Sequence, residues 1–164
     1  MPTLAVYAGS FDPPTRGHVW MIEQGARLFG RLIVAVGVNP EKRATFPLQT
    51  RLAWLREIVR PWANAEVAHF ENLFLARYAA EVGADFILRG IRNVADYTYE
   101  QAMRHINSDL HPQLTTVFLM PPRELGEISS STVRGMIGPA GWHAVVQRYV
   151  PECVFATLEQ THGR

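Results

Sequence analysis

The chain has 164 residues, of which 48% are hydrophobic and 19% are charged, a composition typical of a globular domain with a buried core. The 16 Lys and Arg residues against 15 Asp and Glu residues leave a formal charge of +1, which argues against a protein whose main partner is nucleic acid. The single cysteine, Cys153, excludes an intrachain disulfide and a metal site made of several cysteines.

The amino terminus has no basic segment followed by a long apolar one, as a secretion signal would have. No apolar run approaches the roughly 20 residues that are needed to cross a bilayer. We therefore expect a cytoplasmic protein without a membrane partner. Because no linker, repeat or low-complexity tract divides the chain, we also expect residues 1–164 to form one domain.

Strand-like apolar runs alternate with helical patterns along the chain. The runs lie at about residues 4–9 (LAVYAG), 31–38 (RLIVAVGV), 65–70 (AEVAHF), 85–89 (DFILR) and 115–120 (TTVFLM). The leucines at 48, 52 and 55 recur at helical spacing, and three short helical segments follow the last strand. Continuous apolar strands joined by helices predict a Rossmann-like, doubly wound α/β fold, with a five-stranded parallel sheet and C-terminal helices.

Polar side chains and glycines collect at the predicted carboxyl ends of these strands. Ser10 follows the first strand, Lys42 follows the second, Arg89 ends the fourth, and Ser129 lies beyond the fifth. Ligands of doubly wound sheets bind at that edge. Hydroxyls, cations and glycines in one place suit an anionic ligand, most simply one with several phosphates.

The segment GSFDPPTRGH, residues 9–18, joins the first strand to the first predicted helix. Its two prolines restrict the backbone, which lowers the cost of ordering a binding loop. If the helix begins near Thr15, then Thr15 and His18 share a face of its first turn, beside amide groups that lack a carbonyl partner. Gly17 would let a ligand oxygen approach the backbone. The simpler interpretation is that Thr15 only caps the helix and that His18 is exposed.

GSFDPPTRGH resembles the T/HxGH signature of the nucleotidyltransferase superfamily, and ISSSTVR, residues 128–134, resembles its second signature. Within that superfamily the chain resembles the bacterial phosphopantetheine adenylyltransferases nearly end to end, also through NPEKRATFPLQTRL, ILRGIRNVADYTYE and VFLMPP. The resemblance implies transfer of AMP from ATP to 4'-phosphopantetheine, which gives dephospho-coenzyme A and pyrophosphate. It also implies Mg²⁺ bound mainly through the ATP phosphates, a homohexamer, and coenzyme A as a feedback ligand.

The same resemblance assigns roles to individual residues. The catalytic residues would be His18, Lys42 and Arg92, with His18 stabilising charge that develops on the α-phosphate. The residues that bind the acceptor would be Ser10, Lys42, Phe74 and Arg89. The residues that bind ATP would be Ser10, Phe11, His18, Gly90, Ile91, Arg92, Glu100, Leu125, Gly126, Glu127, Ile128, Ser129, Ser130 and Ser131. No residue is assigned as a metal ligand.

Several alternatives stay open. Arg89 would otherwise form a structural ion pair, and Glu100 would otherwise lie on a solvated helix face. Phe74 stands where the family usually has Leu or Met, and Leu125 and Glu127 stand where aromatic residues are common. A nicotinate or nicotinamide mononucleotide adenylyltransferase would use the same phosphate-binding residues with another acceptor. A non-catalytic nucleotide-binding protein would keep the fold. An aminoacyl-tRNA synthetase fragment would share the phosphate motifs, but the chain is short and lacks a basic tRNA-binding appendage.

Overall fold

The computed structural model describes residues 2–162 and contains strands and helices in alternation. Their order is β1 (Leu4–Gly9), α1 (Arg16–Leu28), β2 (Arg31–Val38), α2 (Leu48–Val59), β3 (Ala65–Glu71), α3 (Leu75–Glu81), β4 (Phe86–Gly90), α4 (Val94–Leu110), β5 (Thr115–Leu119), α5 (Arg123–Gly126), α6 (Ser130–Met136), α7 (Trp142–Val146) and α8 (Glu152–His162). The five predicted strands are confirmed, with ends that differ by at most one residue.

The strands form one parallel sheet in the order β3-β2-β1-β4-β5. The chain winds outward from β1 to β3 and then returns to place β4 on the other side of β1, where Tyr7 lies opposite Leu88. A reversal of this kind leaves a crevice at the carboxyl ends of the two strands on either side of it. The sheet confirms the predicted Rossmann-like α/β fold and places the crevice between Gly9 and Gly90.

Each face of the sheet is covered by its own apolar core, because successive side chains of a strand point to opposite faces. Ala5 and Tyr7 of β1 pack with α1 and α2, whereas Val6 and Ala8 pack with α3 on the other face. Trp54 of α2 belongs to a third cluster, which contains the apolar side chains of α6, α7 and α8. This third cluster fixes α6 beside the edge of the sheet where the crevice opens.

The described helices include none that is both long enough and apolar enough to span a bilayer.

Candidate active site

The loop after β1 leads into a capped first turn of α1. Thr15 is the N-cap, and its hydroxyl accepts a hydrogen bond from the backbone N–H of His18. In return, Nδ1 of His18 accepts a hydrogen bond from the backbone N–H of Thr15 at 2.9 Å. The two residues therefore form a reciprocal capping box. Because Nδ1 acts as an acceptor, the neutral imidazole carries its proton on Nε2.

His18 is held as a neutral hydrogen-bond donor. Burial is the largest cause, and together with the positive charges of Arg92 and Arg89 it lowers the pKa of His18 from 6.5 to about 4. The ring is also packed at 5.1 Å against Phe11, which is fully buried. At neutral pH, His18 thus presents one N–H donor in a fixed orientation to the crevice that it lines.

A cavity of about 420 Å³ opens in the crevice between β1, β4, the start of α1 and the segment from α5 to α6. Its lining includes many of the residues that the resemblance singled out, namely Ser10, His18, Arg89, Gly90, Arg92, Glu100, Leu125, Ile128, Ser129, Ser130 and Ser131. Tyr7, Thr15, Asp96 and Arg134 complete the polar lining. The structure therefore brings together segments that lie far apart in the sequence.

Other predicted residues lie outside this lining. Phe11 is buried beneath the loop, and the backbone N–H of Ile91 donates to the carbonyl of Leu119. Gly126 and Glu127 border a separate depression that also contacts Arg92. Lys42 lies in the exposed loop between β2 and α2. Phe74 is 60% exposed and lines a third depression with residues that follow β2 and β3.

Arg89 and Glu100 bind each other across the floor of the cavity. Nε of Arg89 donates to both carboxylate oxygens of Glu100 at 3.0 and 2.9 Å, and Nη2 donates to Oε1. Nη1 of Arg89 donates to the carbonyl of Ala8 at 2.7 Å. Burial alone would lower the pKa of Arg89, but the hydrogen bonds and charge of Glu100 outweigh it and raise that pKa. Two of the five guanidinium N–H groups remain for a ligand.

Glu100 is therefore buried rather than solvated, since it is only 7% exposed. The same ion pair borders a smaller depression of about 190 Å³ that includes Phe70, Tyr99 and Met103. Arg89 and Glu100 thus line both the polar cavity and the more apolar depression beside it.

Arg92 is oriented by a carboxylate one helical turn away. Its Nε and Nη2 donate to Asp96 at 2.8 and 3.1 Å, and its backbone N–H also donates to Oδ2 of Asp96. These hydrogen bonds raise the pKa of Arg92 and lower the pKa of Asp96. Asp96 thus holds the guanidinium group of Arg92 at the mouth of the cavity.

The serine segment both caps α6 and holds the loop after β1. Ser129 is the N-cap and accepts from the N–H of Thr132, while Ser130 donates through its hydroxyl to the carbonyl of Pro13 at 2.8 Å. Arg134 donates through Nη1 to the carbonyl of Asp12. One short helix therefore fixes two consecutive carbonyl groups of the loop.

Two residues that hold this loop were missed at the sequence level. Asp12 is 6% exposed, and its carboxylate accepts from the backbone N–H groups of Thr45 and Phe46 at 2.8 Å each. Arg51 is 4% exposed and donates through Nη1 to the carbonyl of Ser10. The sequence did contain an indication that Arg51 is buried, because helical spacing places this cation on the apolar side of α2, beside Leu48 and Leu52.

The structure changes the interpretation of Gly17. A Cβ at this position would lie 2.8 Å from the carbonyl oxygen of Leu125. Because Gly17 has no side chain, the backbone at the end of α5 can lie close to it. The sequence analysis had instead expected a ligand oxygen in this space. The close approach lets Leu125 form one wall of the cavity.

Comparisons with known proteins agree with this geometry. The Cytidylyltransferase-like family profile matches residues 6–136. The phosphopantetheine adenylyltransferase of Chromobacterium violaceum is 57% identical over 154 residues, which cover 94% of each chain. That of Neisseria meningitidis serogroup B is 53% identical over 161 residues, which cover 98% of this chain and 95% of the relative.

A solved structure supports the same fold at much lower identity. The Plasmodium falciparum nicotinic acid mononucleotide adenylyltransferase complexed with NaAD aligns with a TM-score of 0.71 at 12% identity, over 99% of this chain and 97% of that one. The structural match shows the fold, and the sequence identity decides the family within it. The chain belongs to the phosphopantetheine adenylyltransferase family.

Proposed function

We propose that this protein transfers AMP from ATP to 4'-phosphopantetheine, giving dephospho-coenzyme A and pyrophosphate. One observation carries the proposal: His18, Arg92 and the serine segment converge on a single cavity at the switch point of the sheet. Family membership at more than 50% identity over nearly the full chain supports this acceptor.

ATP would occupy the 420 Å³ cavity. Its phosphates would lie against the N-terminal turn of α1 and the hydroxyls of Ser129, Ser130 and Ser131, because both offer donors to anionic oxygens. Gly90 and Ile91, with the segment of Leu125, Gly126, Glu127 and Ile128, would surround the nucleoside. Glu100 would accept from the ribose with whichever lone pairs Arg89 leaves available.

The acceptor would approach from the side of Arg89. The smaller depression beside the Arg89–Glu100 pair is lined by Phe70 and Met103, and it suits the less polar arm of the acceptor. Ser10 and the two remaining N–H groups of Arg89 would hold its phosphate. Lys42 and Phe74 lie outside both depressions, so their proposed roles require the exposed loop of Lys42 and the segment of Phe74 between β3 and α3 to move when substrates bind.

The reaction needs orientation and charge more than an activated nucleophile. The acceptor phosphate is already anionic at neutral pH and can attack the α-phosphorus of ATP directly. The P–O bond to pyrophosphate breaks as the new P–O bond forms, and negative charge grows on the non-bridging oxygens. The Nε2–H of His18 would donate to one of these oxygens, while Arg92 and Lys42 would balance the charge.

Magnesium fits this site as a partner of the ATP phosphates. Among residues 2–162, no three His, Cys, Asp or Glu side chains are grouped to hold a metal ion, and Asp96 and Glu100 each face an arginine. Mg²⁺ commonly keeps several waters and binds through substrate phosphates. When bound, it would neutralise charge on the leaving pyrophosphate.

A mononucleotide adenylyltransferase is the second candidate, because the Plasmodium structure shares the fold. The test is pyrophosphate release from MgATP with 4'-phosphopantetheine, nicotinate mononucleotide or nicotinamide mononucleotide as acceptor. We expect release with phosphopantetheine alone and a fall of about 10²- to 10³-fold in His18→Ala, since an oxyanion donor is lost. His105→Ala, at an exposed position of α4, is the control.

Release with a mononucleotide alone would overturn the choice of acceptor. Absence of release with all three acceptors would favour a nucleotide-binding protein without this activity. The homohexamer and feedback by coenzyme A are further proposals from the resemblance. Light scattering and inhibition of pyrophosphate release by coenzyme A would test them.

A further inference from the structure

Tyr7 occupies the floor of the cavity, yet none of the roles considered above involves it. It lies on β1 and is 6% exposed. Its ring packs edge-on against Phe11, with centroids 5.5 Å apart, and Phe11 in turn packs against His18. The aromatic column holds Tyr7 in one orientation relative to His18.

The hydroxyl of Tyr7 lies at the cavity and has no hydrogen-bond partner among the residues that the structure describes. Every fully enclosed side-chain nitrogen or oxygen in the described part of the chain has a hydrogen-bond partner. Tyr7 Oη makes no hydrogen bond to another side chain or to the backbone within residues 2–162, so it is not fully enclosed. Tyr7 lines the cavity, and the charges of Arg89, Arg92 and Glu100, which line it too, act on the Tyr7 hydroxyl, so we infer that the hydroxyl opens into that space. A nearly buried hydroxyl without a partner is costly, which favours a ligand that supplies one.

The surroundings determine which kind of ligand fits. Burial raises the pKa of Tyr7 well above its usual value of 10, although the nearby charges of Arg89 and Arg92 act in the opposite direction. The phenol therefore keeps its proton and acts as a donor. A donor that stands beside two guanidinium groups is best matched by an acceptor that carries negative charge, such as a phosphate oxygen.

The position also separates ATP from the less polar arm of the acceptor. Tyr7 lines the larger cavity with His18, Arg92 and the serine segment, but it does not line the smaller depression beside Met103. We propose that Tyr7 Oη donates a hydrogen bond to a phosphate oxygen of bound ATP and thereby helps to place the α-phosphorus for attack. This inference rests on the proposed function for its catalytic consequence, but the contact itself requires only that ATP binds.

The first test is Tyr7→Phe, which removes one oxygen and keeps the aromatic column. Tyr78→Phe is the matched control, because Tyr78 is 8% exposed and belongs to the core on the other face of the sheet. We expect kcat/KM for pyrophosphate release to fall roughly 10- to 100-fold in Tyr7→Phe, as for loss of a hydrogen bond to a charged group. The control and the thermal unfolding midpoints should stay close to those of the unmodified protein. A fall of less than about twofold in Tyr7→Phe would overturn the proposal.

A second measurement needs no change at Tyr7. The five tyrosines are labelled with ¹³C at Cζ, and the signal of Tyr7 is assigned by elimination from Tyr→Phe variants of the other four. MgATP should shift the Tyr7 signal, whereas adenosine, which has no phosphate, should leave it in place. A shift with 4'-phosphopantetheine alone, or an equal shift with adenosine, would refute the contact with ATP phosphate.

The two experiments also separate this inference from the function on which it rests. If MgATP shifts the Tyr7 signal but no pyrophosphate is released with phosphopantetheine, the contact stands and the proposed function fails. If pyrophosphate is released normally and MgATP leaves the signal unmoved, the function stands and the Tyr7 contact is refuted.

Discussion

Replacing His18 by glutamine separates the charge state of this residue from its role in the helix cap. Glutamine three residues after a threonine N-cap is a natural member of a capping box, so His18→Gln keeps an acceptor for the N–H of Thr15. The variant loses the titratable ring. Any dependence of stability on pH that comes from His18 should therefore disappear in it.

The expected size follows from the pKa of His18, which lies at about 4 in the folded protein against an ordinary value of 6.5. Each pH unit between these values corresponds to about 1.4 kcal/mol, so the folded state resists protonation by about 3 kcal/mol. Above pH 6.5 the ring is neutral in both states and contributes no difference. As the pH falls from about 6.5 to about 4, the unfolded chain binds a proton that the folded chain excludes, and stability is lost.

Urea unfolding at a series of pH values between about 4 and 8 measures this effect. The free energy of unfolding of the unmodified protein, minus that of His18→Gln, should fall by about 3 kcal/mol toward the acid end. His105→Gln, which removes an exposed histidine of α4, should leave the profile of the unmodified protein nearly unchanged. A difference between the unmodified protein and His18→Gln that stays constant with pH would refute the reasoning.

Two further changes test the packing around the loop after β1. Gly17→Ala would bring a Cβ within 2.8 Å of the carbonyl of Leu125, so we expect turnover to fall by about 10²-fold as that wall of the cavity moves. The matched control is Gly135→Ala, whose Cβ would have no neighbour within 4 Å, so its turnover should be unchanged. An equal loss of turnover in both variants would contradict this prediction. Asp12→Asn removes the charge that accepts two backbone N–H groups before α2, and we expect urea unfolding to show a loss of about 1.5–3 kcal/mol. Asp109→Asn, at an exposed position, should change stability little, and an unchanged Asp12 variant would contradict the proposed anchoring.

Local patterns in the sequence were sufficient for the strands and for the first turn of α1. The five apolar runs are long and bounded by turn residues, and a parallel sheet covered by helices buries such runs on both faces. Thr15 and His18 do share a face of the first turn, because that depends on helix geometry alone.

Pairings between distant segments were harder to predict. Arg89 and Glu100 lie on different elements, and no periodic pattern shows that their side chains meet. The carboxylate of Asp12 bonds to backbone N–H groups 33 and 34 residues away, which no motif at residue 12 encodes. The roles of Lys42 and Phe74 were predicted from the resemblance alone. Both residues are exposed and lie outside the cavity, on the segments that follow β2 and β3.

The hydrogen bond from Ser130 to the carbonyl of Pro13 joins residues that are 117 positions apart. All five strands precede Ser130, so a growing chain can complete its sheet before the residues that hold the loop have been made. The loop would then lack two of its anchors, those from Ser130 and Arg134, until α6 has been made. A chain that stops after β5 would therefore lack two of the contacts that shape the wall of the cavity, even with all five strands present.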